Sequence, residues 1–282
     1  MINTYLYGIV PLLYLFCTVL YLLHVLFKVE RVGRIATIMT ALGLTVHSAA
    51  FIARWIESYR VGMGHLPIRG PYECLTFSAL MLLVFYLAIE FKIRTRAFGV
   101  FILPVAFLLM VFATLSSRVS KQIVAMPEVL QGNYINYHLS SCFIGYAAFA
   151  VSCVASILYL LKRGGEGTQS VQTVLPSRET LDDISYRMIA IGFVMYSILI
   201  VTGMFRSKLI WGSYWQWDQV QTWSLIAWLV YAVLLHGRFT WKWSGTLTAI
   251  LSIIGFLFSI ISFLVGAGFL FASGHYPITG KI

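Results

Sequence analysis

Apolar residues fall in blocks of about twenty, separated by short polar, glycine-bearing or charged breaks, and block length rather than alternation is the chain's main signal. The blocks cover roughly 4–27, 35–57, 74–91, 98–115, 137–161, 187–206, 221–237 and 245–271. Crossing the hydrocarbon of a bilayer takes about twenty residues at ~1.5 Å per residue, and only a helix satisfies its own backbone there. The pattern therefore predicts an all-α, polytopic integral membrane protein of about eight transmembrane helices, forming a single membrane domain over residues 1–282. The first block has no basic segment ahead of it and is too long for a signal peptide's apolar core, so it is expected to be a retained helix. The longest polar stretch, 162–186, is rich in Gly, Ser, Thr and charge and is predicted to be a solvated cytoplasmic loop.

Composition agrees: 60% of residues are hydrophobic and 11% charged, which excludes a soluble domain. The net charge of +10 does not indicate nucleic acid, because the basic residues sit in short loops between blocks. Lys28, Arg31 and Arg34, then Lys92, Arg94 and Arg96, then Lys162, Arg163, Arg178 and Arg187, then Arg238 and Lys242 occupy alternate loops. By the positive-inside rule those loops are cytoplasmic, and both termini lie outside. The opposite loops also carry cations, Arg60, Arg69, Arg118, Lys121, Arg206 and Lys208, which solvation or snorkelling accounts for unless an anionic ligand uses them. Cys17, Cys74, Cys142 and Cys153 lie in or at the edge of apolar blocks with no CxxC or CxxCH, so the chain carries no dithiol or covalent c-haem signature.

One break departs from ordinary loop composition. Residues 211–228 read WGSYWQWDQVQTWSLIAW, with five tryptophans and Asp218. Tryptophan is common at membrane interfaces, and Trp228, Trp241 and Trp243 are explained that way. The cluster of Trp211, Trp215, Trp217 and Trp223 around Asp218, in the external segment 207–223, exceeds that role and suits a large, flat, apolar ligand.

Topology sorts the histidines by depth. His138 opens the fifth block and His275 follows the eighth, both on the side of the tryptophan segment. Two neutral imidazoles beside an aromatic shelf are what the two axial positions of a haem iron need. His236 lies eighteen residues beyond Asp218, about 27 Å of helix, and so near the cytoplasmic side. For His24 and His65 an interfacial or hydrogen-bonded role suffices. His47, in TVHSAAFIARW near Arg54, is a weaker candidate for ligation or gating.

WGSYWQWDQVQTWSLIAWLVYAVLLHGR resembles the tryptophan-rich WWD segment of haem-handling proteins, specifically the CcsA/ResC-type subunit of system II cytochrome c synthase. The stretch 47–77 resembles that family's first external loop, YHLSSCFIGYAAFA at 137–150 its histidine-led helix, and GHYP at 274–277 its last external histidine. The resemblance implies that His138 and His275 ligate an external haem b lying against Trp211, Trp215, Trp217, Asp218 and Trp223. It implies that His236 is a transmembrane haem ligand whose opposite ligand comes from a companion CcsB/ResB-type subunit. Further implied partners are an apocytochrome c, whose CxxCH thiols join the haem vinyl groups, and a thiol reductant of the thioredoxin-like class. The implied location is a bacterial inner membrane with the active face outside. The chain would then be part of a holocytochrome c synthase, supplying placement and redox protection, with no side chain in acid–base catalysis.

The sequence departs from the family where Pro, a basic residue and Glu usually follow the aspartate: here stand Gln219, Val220 and Gln221. Glu73, in PIRGPYECL, is retained as a structural or gating candidate, and Arg118, Lys121, Arg206 and Lys208 are candidates for neutralising propionates. Two other functions fit membrane helices with histidines. One is a b-type cytochrome exchanging electrons with quinone, which would usually pair its histidines within the spans. The other is a haem exporter without ligation chemistry.

Overall fold

The computed structural model describes residues 2–123, 132–162 and 175–266, and its regular structure among these is entirely helical. The helices are α1 (Ile2–Phe27), α2 (Glu30–Arg60), α3 (Pro71–Ile93), α4 (Gly99–Leu115), α5 (Asn133–Leu161), α6 (Arg178–Trp211), α7 (Gln219–Thr240) and α8 (Thr246–Gly266). Each matches one apolar block. Seven are long and apolar enough to cross a membrane, while α4 is apolar but has 17 residues. The chain is a multi-pass membrane protein. Helices overrun the blocks where polar ends extend them: α6 begins at Arg178, inside the stretch expected as loop, and ends at Trp211.

Within what the apolar pattern presented as one membrane domain, the helices pack as two compact units. The first contains Met1–Pro127 and Ile157–Asp183, the second Glu128–Ser156 and Ile184–Ile282.

In the first unit α1 and α2 form an antiparallel pair. Along the buried face of α1, Asn3, Tyr7, Val10, Tyr14, Cys17, Tyr21 and His24 step by alternating fours and threes, with Pro11 and Thr18 buried beside them, and Gly33, Ala36, Thr40, Gly43, His47, Ala50 and Arg54 of α2 do the same. That is the 3.5-residue repeat of a supercoiled seam. Large residues of α1 meet small ones of α2: a Cβ on Gly33 would lie 2.7 Å from His24 Nδ1, and one on Gly43 3.2 Å from Tyr14. Small residues that admit close backbones, with hydrogen bonds across the seam, are how helices associate in lipid. Here Asn3 donates to Glu57, and the Tyr14 hydroxyl lies 2.7 Å from His47 Nδ1.

Two polar clusters sit at opposite ends of α3. Near its start, Arg54 Nε donates to Glu73 Oε1 at 2.8 Å, with both side chains 3% exposed. Arg54 also donates to the Lys121 carbonyl at 3.1 Å and lies over the Tyr72 ring. Glu73 accepts from the backbone amides of Arg69 and Gly70, the glutamate half of a capping box at the α3 N-terminus, where the N-cap Gly70 has no side chain to return the bond. Near the other end Glu90 accepts from Tyr21 at 2.8 Å and from Thr37, and Arg96 lies 3.7 Å from it. Buried charge in a membrane persists only when paired and hydrogen-bonded, and both clusters meet that condition.

The second unit is built around Phe149, Ile189, Tyr196, Leu199, Ala227, Tyr231 and Leu234, from α5, α6 and α7. Phe149 stacks on Tyr231 with ring centroids 3.8 Å apart, and Gly192 of α6 makes room for it. Buried serines join the helices: Ser152 lies 2.9 Å from Ser185 and 2.8 Å from Ser252, and Ser224 2.7 Å from Ser262.

Candidate functional site

The tryptophan segment belongs to the second unit and is shaped by its backbone. After Trp211 the chain leaves α6 through Gly212 at φ 74°, and the Ser207 hydroxyl and Lys208 ammonium donate to the carbonyls of Ser213 and Gly212. Asp218 starts α7 as its N-cap, Oδ1 accepting from the Gln221 amide at 2.9 Å. Gln221 Oε1 in turn accepts from the Gln216 amide at 2.7 Å. That contact gives Gln221 a role: a neutral amide oxygen serves here as the acceptor that ties the loop to the helix start. Asp218 is accordingly part of the scaffold.

The tryptophans divide by environment. Trp217 stands at φ 55°, a left-handed conformation rarely adopted by a bulky residue, and is 71% exposed. Trp215 meets it edge to face at 5.6 Å. Trp223 is occupied in stacking on Phe258 of α8, and Trp211 is 38% exposed. Trp228, expected as interface packing, donates its indole N–H to Ser197 and stacks on Phe193. The flat surface offered outward is therefore chiefly Trp217 with Trp215 beside it.

His138, on the first turns of α5, is held against α6. Its Nδ1 lies 3.1 Å from the Leu199 carbonyl and 3.0 Å from Thr202 Oγ1. A carbonyl only accepts, so Nδ1 carries the proton and the lone pair of the neutral ring is on Nε2. Gly203 lets the imidazole approach, since a Cβ there would lie 3.3 Å from His138 Cε1. Nothing in the sequence pairs His138 with Thr202, 64 positions away. His275 lies outside the described residues.

His236 is exposed on α7, at the far end from Asp218, with its ring perpendicular to Trp241 at 5.2 Å. The remaining candidates divide between the units. In the first, His47 is fully buried and bonded to Tyr14, and Arg54 and Glu73 are the internal ion pair described above. Arg118 is exposed, and Lys121 contributes its carbonyl to Arg54. In the second, Lys208 lies 5.5 Å from the Tyr214 ring centroid, two residues from Arg206. His24 and His65 bond backbone carbonyls, as expected. Among the described residues no group of three His, Cys, Asp or Glu side chains is arranged to hold a metal ion.

A polytopic helical membrane protein with an aromatic loop and a histidine fixed on a neighbouring helix pair is the class that the geometry defines. The profile of the cytochrome C assembly protein family matches residues 69–269, and the chain belongs to that family. It is 31% identical over 283 aligned residues to the cytochrome c biogenesis protein CcsA of Porphyra purpurea, with 86% of each chain covered. The CcsA of Microcystis aeruginosa is 32% identical, with 75% of this chain and 78% of the relative covered. Among solved structures, the cytochrome c heme lyase CcmF shares the fold, with a TM-score of 0.70 at 18% identity. The alignment covers 96% of this chain but 47% of the CcmF chain, so this chain spans about half of that larger protein.

Proposed function

We propose that this protein acts in cytochrome c biogenesis as the CcsA-type subunit of a haem-handling synthase. In this reading it binds haem b, takes part in its delivery across the membrane, and presents it on the outer face for attachment to apocytochrome c. A CcsB/ResB-type subunit and a thiol reductant of the thioredoxin-like class assist it. The observation that carries the reading is the state of His138. Its Nδ1 is committed to the Leu199 carbonyl, which leaves the lone pair on Nε2, the arrangement typical of an imidazole that ligates a metal.

Haem supplies the vinyl groups, and thioether formation adds the cysteine S–H across C=C: a C–S bond forms, the hydrogen goes to the neighbouring carbon, and no oxidant is consumed. The chain contributes position. His138 Nε2 and His275 are the axial donors of the outer site, Trp217 and Trp215 give its apolar face, and Arg206 and Lys208 are the cations for its propionates. His236 is the inner ligand. Two axial imidazoles keep other ligands from the iron while an edge of the ring stays open to substrate.

The test is coexpression with a CcsB/ResB-type subunit and an apocytochrome c, with a stain for covalently bound haem. His138→Ala and His275→Ala are each expected to abolish maturation, and added imidazole to restore part of it by replacing the missing donor. Normal maturation in both variants would end this reading. Haem-dependent quinol oxidation without covalent attachment would favour the b-type cytochrome.

A further inference from the structure

The end of α7 that carries His236 is built more elaborately than a helix stop requires. The Gly237 carbonyl accepts from the amides of both Trp241 and Trp243, at 2.9 and 3.2 Å. Trp243 folds back over Gly237 so closely that a Cβ there would meet its indole at 2.2 Å. Trp241 packs on Trp243 at 5.3 Å and presents itself perpendicular to the His236 ring at 5.2 Å, while remaining 59% exposed. Lys242, between the two indoles, is exposed and stands at φ 55°, where glycine would be less strained. Among the described residues no hydrogen bond reaches either nitrogen of His236. Its ring is steered by an aromatic surface, whereas that of His138 is held by a carbonyl.

We infer that Trp241, Trp243 and Lys242 form a second, inner haem cradle around His236, with Trp241 orienting the imidazole and Lys242 receiving a haem propionate. The inference rests on the proposed role of His236 as inner ligand and adds the residues that fix ring orientation and the direction of the propionates. Haem is an apolar disc with two carboxylates on one edge, so a ligand on a membrane helix needs an apolar flank and a cation towards the water interface. His236, the paired indoles and Lys242 supply these within eight consecutive residues, 236–243, with Trp243 as the base. Arg238, held over the Tyr186 ring at 4.6 Å, adds positive charge on the same turn. This cradle gives the bound haem one orientation, propionates towards the α7 C-terminus.

The experiment uses the full chain, copurified with a CcsB/ResB-type subunit in a His138→Ala background so that the inner station reports alone. Ferrous haem and haem dimethyl ester, which lacks the propionate charges, are titrated against absorbance. Lys242→Gly, which suits the backbone at that position, is expected to weaken haem binding about tenfold and to leave the dimethyl ester unchanged. Trp241→Leu is expected to shift the Soret band and, after oxidation of the bound haem to the ferric state, the low-spin electron paramagnetic resonance signal, by releasing the imidazole orientation. Unchanged haem affinity in Lys242→Gly, or an equal loss for haem and its ester, overturns the inference, as does an unaltered spectrum in Trp241→Leu. If His236→Ala itself binds haem with the parent's spectrum, the inner-ligand reading fails as well, and the two failures are thereby distinguished.

Discussion

Trp217 carries the most informative backbone angle in the chain. A left-handed conformation costs a non-glycine residue about 1–2 kcal/mol, and such strain concentrates where a side chain must be aimed. Here it turns the indole outward beside Trp215, between a helix end and an N-cap that are both tied down by hydrogen bonds. Trp217→Gly is therefore expected to hold or raise the thermal unfolding temperature while lowering the haem-to-protein ratio of the purified chain at least threefold. An undiminished ratio would show that the loop presents this indole for another reason. Thr202→Val probes His138, the ligand proposed for the outer site: it removes one neighbour of its Nδ1 and leaves the Leu199 carbonyl. Because outer-shell partners typically change metal affinity by about 10–100-fold, and here the carbonyl remains, a loss near the lower end is expected, read as haem retention on dilution.

Between residues and whole lie the helix contacts, where sequence and structure part company in an instructive way. Block length placed every helix, because the hydrocarbon thickness fixes span length and little else competes. The seven-residue spacing of Tyr7, Tyr14 and Tyr21 on α1 was also open to reading, since such a repeat marks a packed seam. Partners distant in sequence were not. Arg54 and Glu73 were visible as charges near an expected span end, but nothing along the chain says that they meet, nor that Arg54 also grips the Lys121 carbonyl. Composition likewise treated Trp241 and Trp243 as interface residues, because their contact with Gly237 depends on how the chain turns after α7. The Arg54–Glu73 pair yields a prediction at this scale. Arg54→Met leaves a buried carboxylate and is expected to cost about 3–5 kcal/mol, whereas Arg54→Met with Glu73→Leu recovers much of that loss. Thermal unfolding of the two variants in one detergent checks it, and equal destabilisation would remove the pairing from the account.

At the scale of the molecule the question is how the two proposed haem stations, at His138 and His236, relate to the membrane. His236 and the Asp218 cap lie at opposite ends of one 22-residue helix, so the bilayer must separate them if α7 spans it. Their environments differ in kind. The His138 ring is held by a carbonyl hydrogen bond, the kind of outer-shell contact that favours metal ligation, while the His236 ring meets an indole edge to face. Under the proposed function, a cargo that binds iron-first is favoured towards His138, and this difference in ligation gives its transfer a direction without a moving part. The arrangement requires the tryptophan segment and the Lys242 turn to face different compartments, as the basic loops lead one to expect. Single-cysteine variants at Ser213 and Ser244, in a background without the four native cysteines, test this with a membrane-impermeant maleimide on intact cells. Position 213 is expected to label directly and position 244 only after permeabilisation. Labelling of both from the same side would exclude a spanning α7 and with it the inner and outer stations. The reverse pattern would keep the two stations but invert the direction of haem transfer.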